Sequence, residues 1–254
     1  MEDKDRFPIG IIGGTGGIGR WFASFLEKDG FPVHVSGRKS GLQFPEMAEI
    51  CPVVIVAVPI IDTVSVIEKV GPFIKEGNLL MDMTSLKAEP VKAMLRSSHS
   101  EVIGVHPLFG PDIPSLAGQN VILCPGRGEK WISWLTGILQ RHGACITMSS
   151  AEKHDHMMSL VQALNHLNTI AFGLALQESG VDSEELDRFS TPIFRMKKGI
   201  IDKLFSNNPK LYAEIISFNP EKKQILDLYM KILSELKMLI EQNDSEGITK
   251  LIKK

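Results

Sequence analysis

Two stretches of the chain combine residue types and spacing that can do chemistry. The first is Gly14-Thr15-Gly16-Gly17-Ile18-Gly19, a G-x-G-x-x-G string between an apolar run and a helical pattern. Glycines at these spacings allow a tight turn, a close approach of backbone to a pyrophosphate, and close packing of helix on strand. The helix that follows presents the positive end of its dipole and unbonded N–H groups to an anion. The spacing therefore predicts a dinucleotide site. About 20 residues on, a carboxylate would select the ribose 2′-hydroxyl of NAD. Here the chain reads Ser36-Gly37-Arg38-Lys39-Ser40, with two adjacent cations and no acid. Arginine pairs with phosphate through two parallel hydrogen bonds, so NADP is favoured over NAD. Val58 and Pro59, at the end of the third apolar run, complete the expected cofactor set with Ser36.

The second stretch pairs Asp82-Met83-Thr84-Ser85-Leu86-Lys87 with Gly104-Val105-His106-Pro107-Leu108-Phe109-Gly110-Pro111. Each follows an apolar run read as a strand, where ligands bind in open α/β sheets. A neutral imidazole at His106 can accept the proton of an alcohol as hydride leaves carbon. Ser85 would hydrogen-bond the same hydroxyl or orient the ring, and Lys87 offers a cation. His154 and His156 are two residues apart, so they face different sides of a helix and cannot form an i, i+4 metal pair. No metal is expected.

These residues need a frame. Ile9–Ile12, Val33–Ser36, Val53–Val58, Leu79–Met83, Val102–Val105 and Val121–Cys124 read as buried strands alternating with helical patterns, which predicts a Rossmann-type, parallel, doubly wound sheet. Past about Ser149 the texture becomes wholly helical. Ser149 and Glu152 form a capping-box signature, and apolar residues from Met157 to Leu174 recur at helical spacing until Gly180. Further helices are expected over Thr191–Phe205 and after Asn219-Pro220. The expected division is 1–149 for nucleotide binding and 150–254 for an all-helical substrate and dimerisation domain.

Together, several motifs resemble the prephenate dehydrogenase family: His-Pro-Leu-Phe-Gly-Pro-Asp at 106–112, Thr-Ser-Leu-Lys at 84–87, Glu-Lys-His-Asp-His-Met-Met at 152–158, Gln-Ala-Leu-Asn-His-Leu at 162–167 and Ser-Thr-Pro-Ile-Phe-Arg at 190–195. They run in order from Gly13 to about Asn243, and the pattern is similar to the branch often fused to chorismate mutase. No mutase segment is visible, so the chain reads as a free-standing enzyme or as a part of a longer protein. The resemblance implies oxidative decarboxylation of prephenate to 4-hydroxyphenylpyruvate in tyrosine synthesis. It makes His106 the base and Ser85 its helper, and it places His166 near the substrate. Asp155 is implied to be structural or site-organising.

Prephenate is a dianion, so Arg195, Lys203 and Tyr212 are expected on the helical wall of the cleft. Relatives of this branch commonly carry arginine where this chain has Lys203. Lysine keeps the charge but loses the bidentate fork, which leaves arogenate open as a substrate. Two other readings share the layout. A β-hydroxyacid or imine-type dehydrogenase usually places a lysine on the long helix, where this chain has Asn165 and His166. A non-catalytic NADP sensor would need neither Ser85 nor His106.

Composition bounds the rest. A net charge of −2 gives no bulk reason to expect nucleic acid, and three scattered cysteines suggest neither a disulfide framework nor a thiolate zinc site. A reducing cytoplasm is the expected compartment. The N-terminus has no signal-peptide core, and no apolar run approaches the ~20 residues of a membrane span. The apolar stripes of the long helix and of Ile225–Ile240 exceed what one helical layer buries, which predicts an obligate homodimer.

Overall fold

The computed structural model describes residues 6–38 and 40–253. It divides into two compact units, between Asp155 and His156. The division falls later than the change of texture at Ser149, because His154 and Asp155 bond to residues of the first unit.

The first unit runs β1 (Ile9–Ile12), α1 (Gly17–Lys28), β2 (Val33–Ser36), α2 (Phe44–Ile50), β3 (Val53–Val56), α3 (Ile60–Val70), β4 (Leu79–Asp82), α4 (Ala88–Ser97), β5 (Glu101–Pro107), β6 (Asn120–Arg127), α5 (Lys130–Arg141) and β7 (Cys145–Met148). The strands form one sheet in the order β2-β1-β3-β4-β5-β6-β7. The chain leaves β1 to either side, toward β2 and toward β3, so the topological switch point lies at the carboxyl end of β1.

Strands β1 to β5 are parallel, but β6 runs antiparallel to β5, against the expectation of a wholly parallel sheet. Parallel neighbours need a crossover, usually a helix, whereas the 108–119 connection carries Gly110, Pro111, Pro114 and Gly118 and has none. Strand β7 went unread because it is a mostly exposed edge strand with weak alternation. The third strand also ends at Val56, which leaves Val58 and Pro59 in the loop that opens α3.

Side chains alternate across the sheet with period two. Ile9, Ile11, Val53, Ile55, Leu79 and Met81 pack with Phe22 and Leu26 of α1 and Trp131 and Leu135 of α5. Ile12, Val54, Val56 and Leu80 pack with Met47 of α2, Ile67 of α3 and Met94 of α4. Burial on both faces explains why these strands read as unbroken apolar runs.

The second unit is helical. α6 (Ala151–Met158) continues through a π-helical segment at Ser159–Leu164 into α7 (Asn165–Glu178). Then come α8 (Ser183–Arg188), α9 (Pro192–Ser206), α10 (Pro209–Phe218), α11 (Lys222–Glu241) and α12 (Ser245–Ile252). The hydroxyl that caps α6 belongs to Ser150, which accepts from Lys153 N–H at 3.1 Å, and not to Ser149. Thr191 caps α9 through Phe194 N–H, and Gly180 ends the long helix region at φ +70°. The short helices α8, α10 and α12 escaped the periodicity reading, although Asp182, Asn208 and Asp244 cap them. Among the described residues no helix is long and apolar enough to cross a membrane.

Candidate functional site

The glycine turn closes β1 and opens α1. Gly13, at φ +85°, is the residue whose conformation demands glycine, a role the sequence suggested for Gly14. Gly14 packs on Val35, and a Cβ there would meet that side chain at 2.8 Å. Gly19 lies under the turn: a Cβ would stand 2.5 Å from the Gly13 carbonyl oxygen. Gly16 is the N-cap of α1 and brings no side-chain hydrogen bond, which leaves the first-turn N–H groups to an anion.

Beside this turn lies a cleft of about 810 Å³, lined by Thr15, Gly16, Ser36, Arg38, Val58 and Pro59 among others. Gly14 and Gly19 pack the turn from behind, while Gly17 and Ile18 carry N–H groups of the first turn of α1. Ser36 is buried with its hydroxyl turned inward, donating to the Leu42 carbonyl at 3.1 Å. Lys39 lies outside the described residues. The exposed Arg38 guanidinium pairs with Asp62 at 3.0 Å, and Lys69 adds a second cation to the lining. Asp62 and Lys69 come from α3, more than 20 residues beyond the motif, so their spacing carries no signal. The uncapped helix start and the close-packed glycines together fit a dinucleotide.

The second cluster sits at the carboxyl ends of β4 and β5. His106 is only 3% exposed. Burial, then the neighbouring His154 and the Lys87 ammonium, hold its imidazole well below the usual range, so it is neutral near pH 7. Its Nδ1 lies 2.8 Å from His154 Nε2, and His154 Nδ1 lies 2.8 Å from Asp155 Oδ1. Asp155 in turn accepts from the backbone N–H groups of Lys87 at 2.7 Å and Ala88 at 2.9 Å, at the start of α4. A carboxylate there also suits the positive end of that helix. The segment holding Ser85 is thereby fastened to the helix that carries His154.

Lys87 was expected to meet substrate, and the structure corrects this. Its ammonium is fully buried, paired with Asp82 and donating to the Val105 carbonyl at 2.8 Å. A charge used inside the fold cannot also reach a ligand. It braces the end of β5 one residue before His106.

The loop after His106 is also pinned. Trp21 of α1 donates to the Ile113 carbonyl at 2.9 Å and packs edge-on against Phe109 at 5.3 Å. Pro111 lies over Gly17, within 3.2 Å of where a Cβ would be. The histidine loop and the nucleotide turn thus share one helix.

In the second unit, His166 packs edge-on against Tyr212 at 4.8 Å, and burial lowers its pKa from 6.5. Arg195 and Lys203 both lie exposed on α9. His156 bonds Glu221 at 2.7 Å. His154 and Asp155 are functional candidates that no residue spacing could join to His106, because 48 positions separate the two histidines.

Comparison with known proteins gives a consistent picture. Residues 33–148 match the family model for the prephenate dehydrogenase nucleotide-binding domain, and residues 150–254 match that for the prephenate dehydrogenase dimerization domain. The chain is 40% identical to a "Probable arogenate/prephenate dehydrogenase" of Methanocaldococcus jannaschii, across 98% of this chain and 60% of that protein. It is 36% identical to the "T-protein" of Haemophilus influenzae, across 96% of this chain and 65% of that one. The chain thus spans less than two thirds of the length of these curated relatives. Among solved structures, prephenate dehydrogenase from Aquifex aeolicus, in complex with hydroxyphenyl propionate and NAD+, superposes with a TM-score of 0.74 at 20% identity, covering 99% of this chain and 97% of that one.

Proposed function

The chain belongs to the prephenate dehydrogenase family, and on that premise we propose that it oxidises and decarboxylates prephenate to 4-hydroxyphenylpyruvate, using NADP in preference to NAD. The observation that carries the reading is His106: a buried, neutral imidazole at the carboxyl end of β5, braced on one side by His154 and beside the turn that holds Ser85.

A bound nicotinamide would supply the acceptor for the hydride that leaves the ring carbon bearing the hydroxyl. Thr15, Gly16, Val58 and Pro59 would hold the dinucleotide, and Arg38 would offer its guanidinium to a 2′-phosphate. His106 takes the proton of the substrate hydroxyl, and Ser85 orients that hydroxyl. The ring carboxylate leaves as carbon dioxide because the ring becomes aromatic. The residues' main task is alignment, which lowers the entropic part of the barrier. His166, Tyr212, Arg195 and Lys203 are the second unit's candidate polar and cationic partners for a dianion.

Lys203 supports a second reading, arogenate. An ammonium is a point charge without the guanidinium fork, so it discriminates less by geometry between side chains that carry a ketone and an amine. The fold is completed as a homodimer. In the single chain, α7 buries only Gly173 among its own residues, while Phe172 and Leu174 lie exposed.

One assay tests the reading: NADP reduction with prephenate, arogenate and simple 2-hydroxy acids, by the native chain and by His106→Ala. Prephenate turnover should fall about 10²–10⁴-fold in the variant. Turnover that survives the change would remove His106 as the base, and turnover of hydroxy acids alone would move the chain's activity to another reaction.

A further inference from the structure

A carboxylate has only acceptors, and this fixes the first proton in the row that ends at His106. Asp155 Oδ1 lies 2.8 Å from His154 Nδ1, so Nδ1 carries the hydrogen. In the neutral form of His154, Nε2 then holds a lone pair and accepts, whereas a charged His154 would donate there. Its partner at 2.8 Å is His106 Nδ1, which is the donor when His154 is neutral. A neutral His106 with hydrogen on Nδ1 carries its lone pair on Nε2. The order of groups is carboxylate, imidazole, imidazole, and each link is in hydrogen-bond range.

The row is shielded from water, which strengthens it. His154 and Asp155 side chains are 0% and 3% exposed, and a hydrogen bond in such surroundings is stronger than in water. Asp155 is anchored at both oxygens by Lys87 N–H and Ala88 N–H, so its position is set before the histidines are added. Lys87 and Asp82 are the other ionisable groups that act on His106 or pair beside it.

We propose that Asp155 and His154 are positioning residues that fix the tautomer of His106, keeping hydrogen on Nδ1 so that Nε2 receives the substrate proton. As that proton arrives, the polarised His154 Nε2 stabilises the imidazolium through the bond it already accepts. The consequence for turnover rests on the proposed alcohol oxidation; the tautomer itself does not.

Long-range ¹H–¹⁵N correlation spectra of histidine-labelled protein near pH 7.5 read the tautomer directly. In the native chain, His106 should show a protonated Nδ1 and an unprotonated Nε2. In His154→Phe, which keeps a ring but offers no acceptor, that preference should disappear. In the same variant kcat should fall about 10- to 100-fold, while KM for NADP stays within twofold. His154→Gln, whose amide oxygen can accept, should recover part of the loss. If His154→Phe does not fold, His154→Leu is read in the same way. A native His106 protonated on Nε2, or a tautomer unchanged in the variants, would overturn the proposal. If the tautomer behaves as stated but prephenate is not turned over, the row stands and the proposed reaction fails instead.

Discussion

Replacing Lys87 by Met tests whether the buried ion pair under the site is a structural brace. The change keeps the length and most of the volume of the side chain but deletes the cation. Asp82, fully buried, would retain only the Thr84 N–H bond at 3.0 Å on Oδ2, since Oδ1 already has no partner among the described residues. The Val105 carbonyl would lose its donor at the same time. Breaking one half of a buried pair costs about 3–5 kcal/mol, because the remaining charge stays desolvated. That is a large part of the ~5–15 kcal/mol that holds a domain together. The three tryptophans, Trp21, Trp131 and Trp134, all lie in the first unit, so their fluorescence in a urea titration follows this unit alone. Protein concentration is held fixed, because association shifts apparent stability.

The pH dependence of the deficit is also determined. Burial already raises the Asp82 carboxyl above 3.8, with Lys87 pulling it back down. Without Lys87 the carboxyl rises further, so its penalty applies at high pH and shrinks as pH falls toward 3.8 and the group takes a proton. The deficit should therefore be larger at pH 8 than at pH 5. Asp82→Leu with Lys87→Met should recover most of the loss, since an apolar pair of similar volume is often neutral or better. A deficit under about 1 kcal/mol, a deficit that ignores pH, or no recovery in the double variant would refute the brace.

Gly19→Ala places a Cβ 2.5 Å from the Gly13 oxygen, against backbone that has nowhere to go. Overpacking of about 1–3 kcal/mol should outweigh the helix propensity gained by alanine, which is at most about 1 kcal/mol. Tm should fall and KM for the dinucleotide should rise; an unchanged pair of values would show that the turn can shift. Arg38→Ser should reduce kcat/KM for NADP about tenfold relative to NAD, the low end for a charge-assisted bond because the side chain is 83% exposed. An unchanged ratio of the two cofactors would remove Arg38 from phosphate recognition. Stability should decline as pH falls below 6.5, since His106 is held below that value in the fold and the unfolded chain binds the extra proton. His106→Gln should flatten that slope when urea midpoints are compared between pH 5 and 8. Light scattering should give twice the chain mass at micromolar concentration, and a monomer would contradict the dimer.

The sheet was legible because its strands are covered on both faces, so apolar β-branched runs such as Val53–Val56 stand out without any pairing information. The glycine turn was legible because its spacing is partly local: Gly16 and Gly19 both face the Gly13 carbonyl oxygen, although Gly14 packs on Val35 and Gly17 under Pro111. Local patterns failed where the demand came from far away. The reversal of β6 depended on what the 108–119 loop does not contain, and β7 depended on a neighbour, not on its own alternation.

The amino-acid sequence by itself determined which residues are able to act: a phosphate-binding turn, a cationic strand end, an imidazole and a hydroxyl at adjacent strand ends. Only the tertiary structure decided which of them face a ligand. Lys87 and Asp82 look like site residues in the sequence, yet folding turns them toward each other, because two charges removed from water must be paired. Nothing in the spacing of His154 and Asp155 says what they touch, and folding carries them to His106 and to the start of α4. Spacing along a chain specifies neighbours within one element. The proton on an imidazole is fixed by whatever lies 2.8 Å from each nitrogen, and that partner is supplied only when distant elements pack.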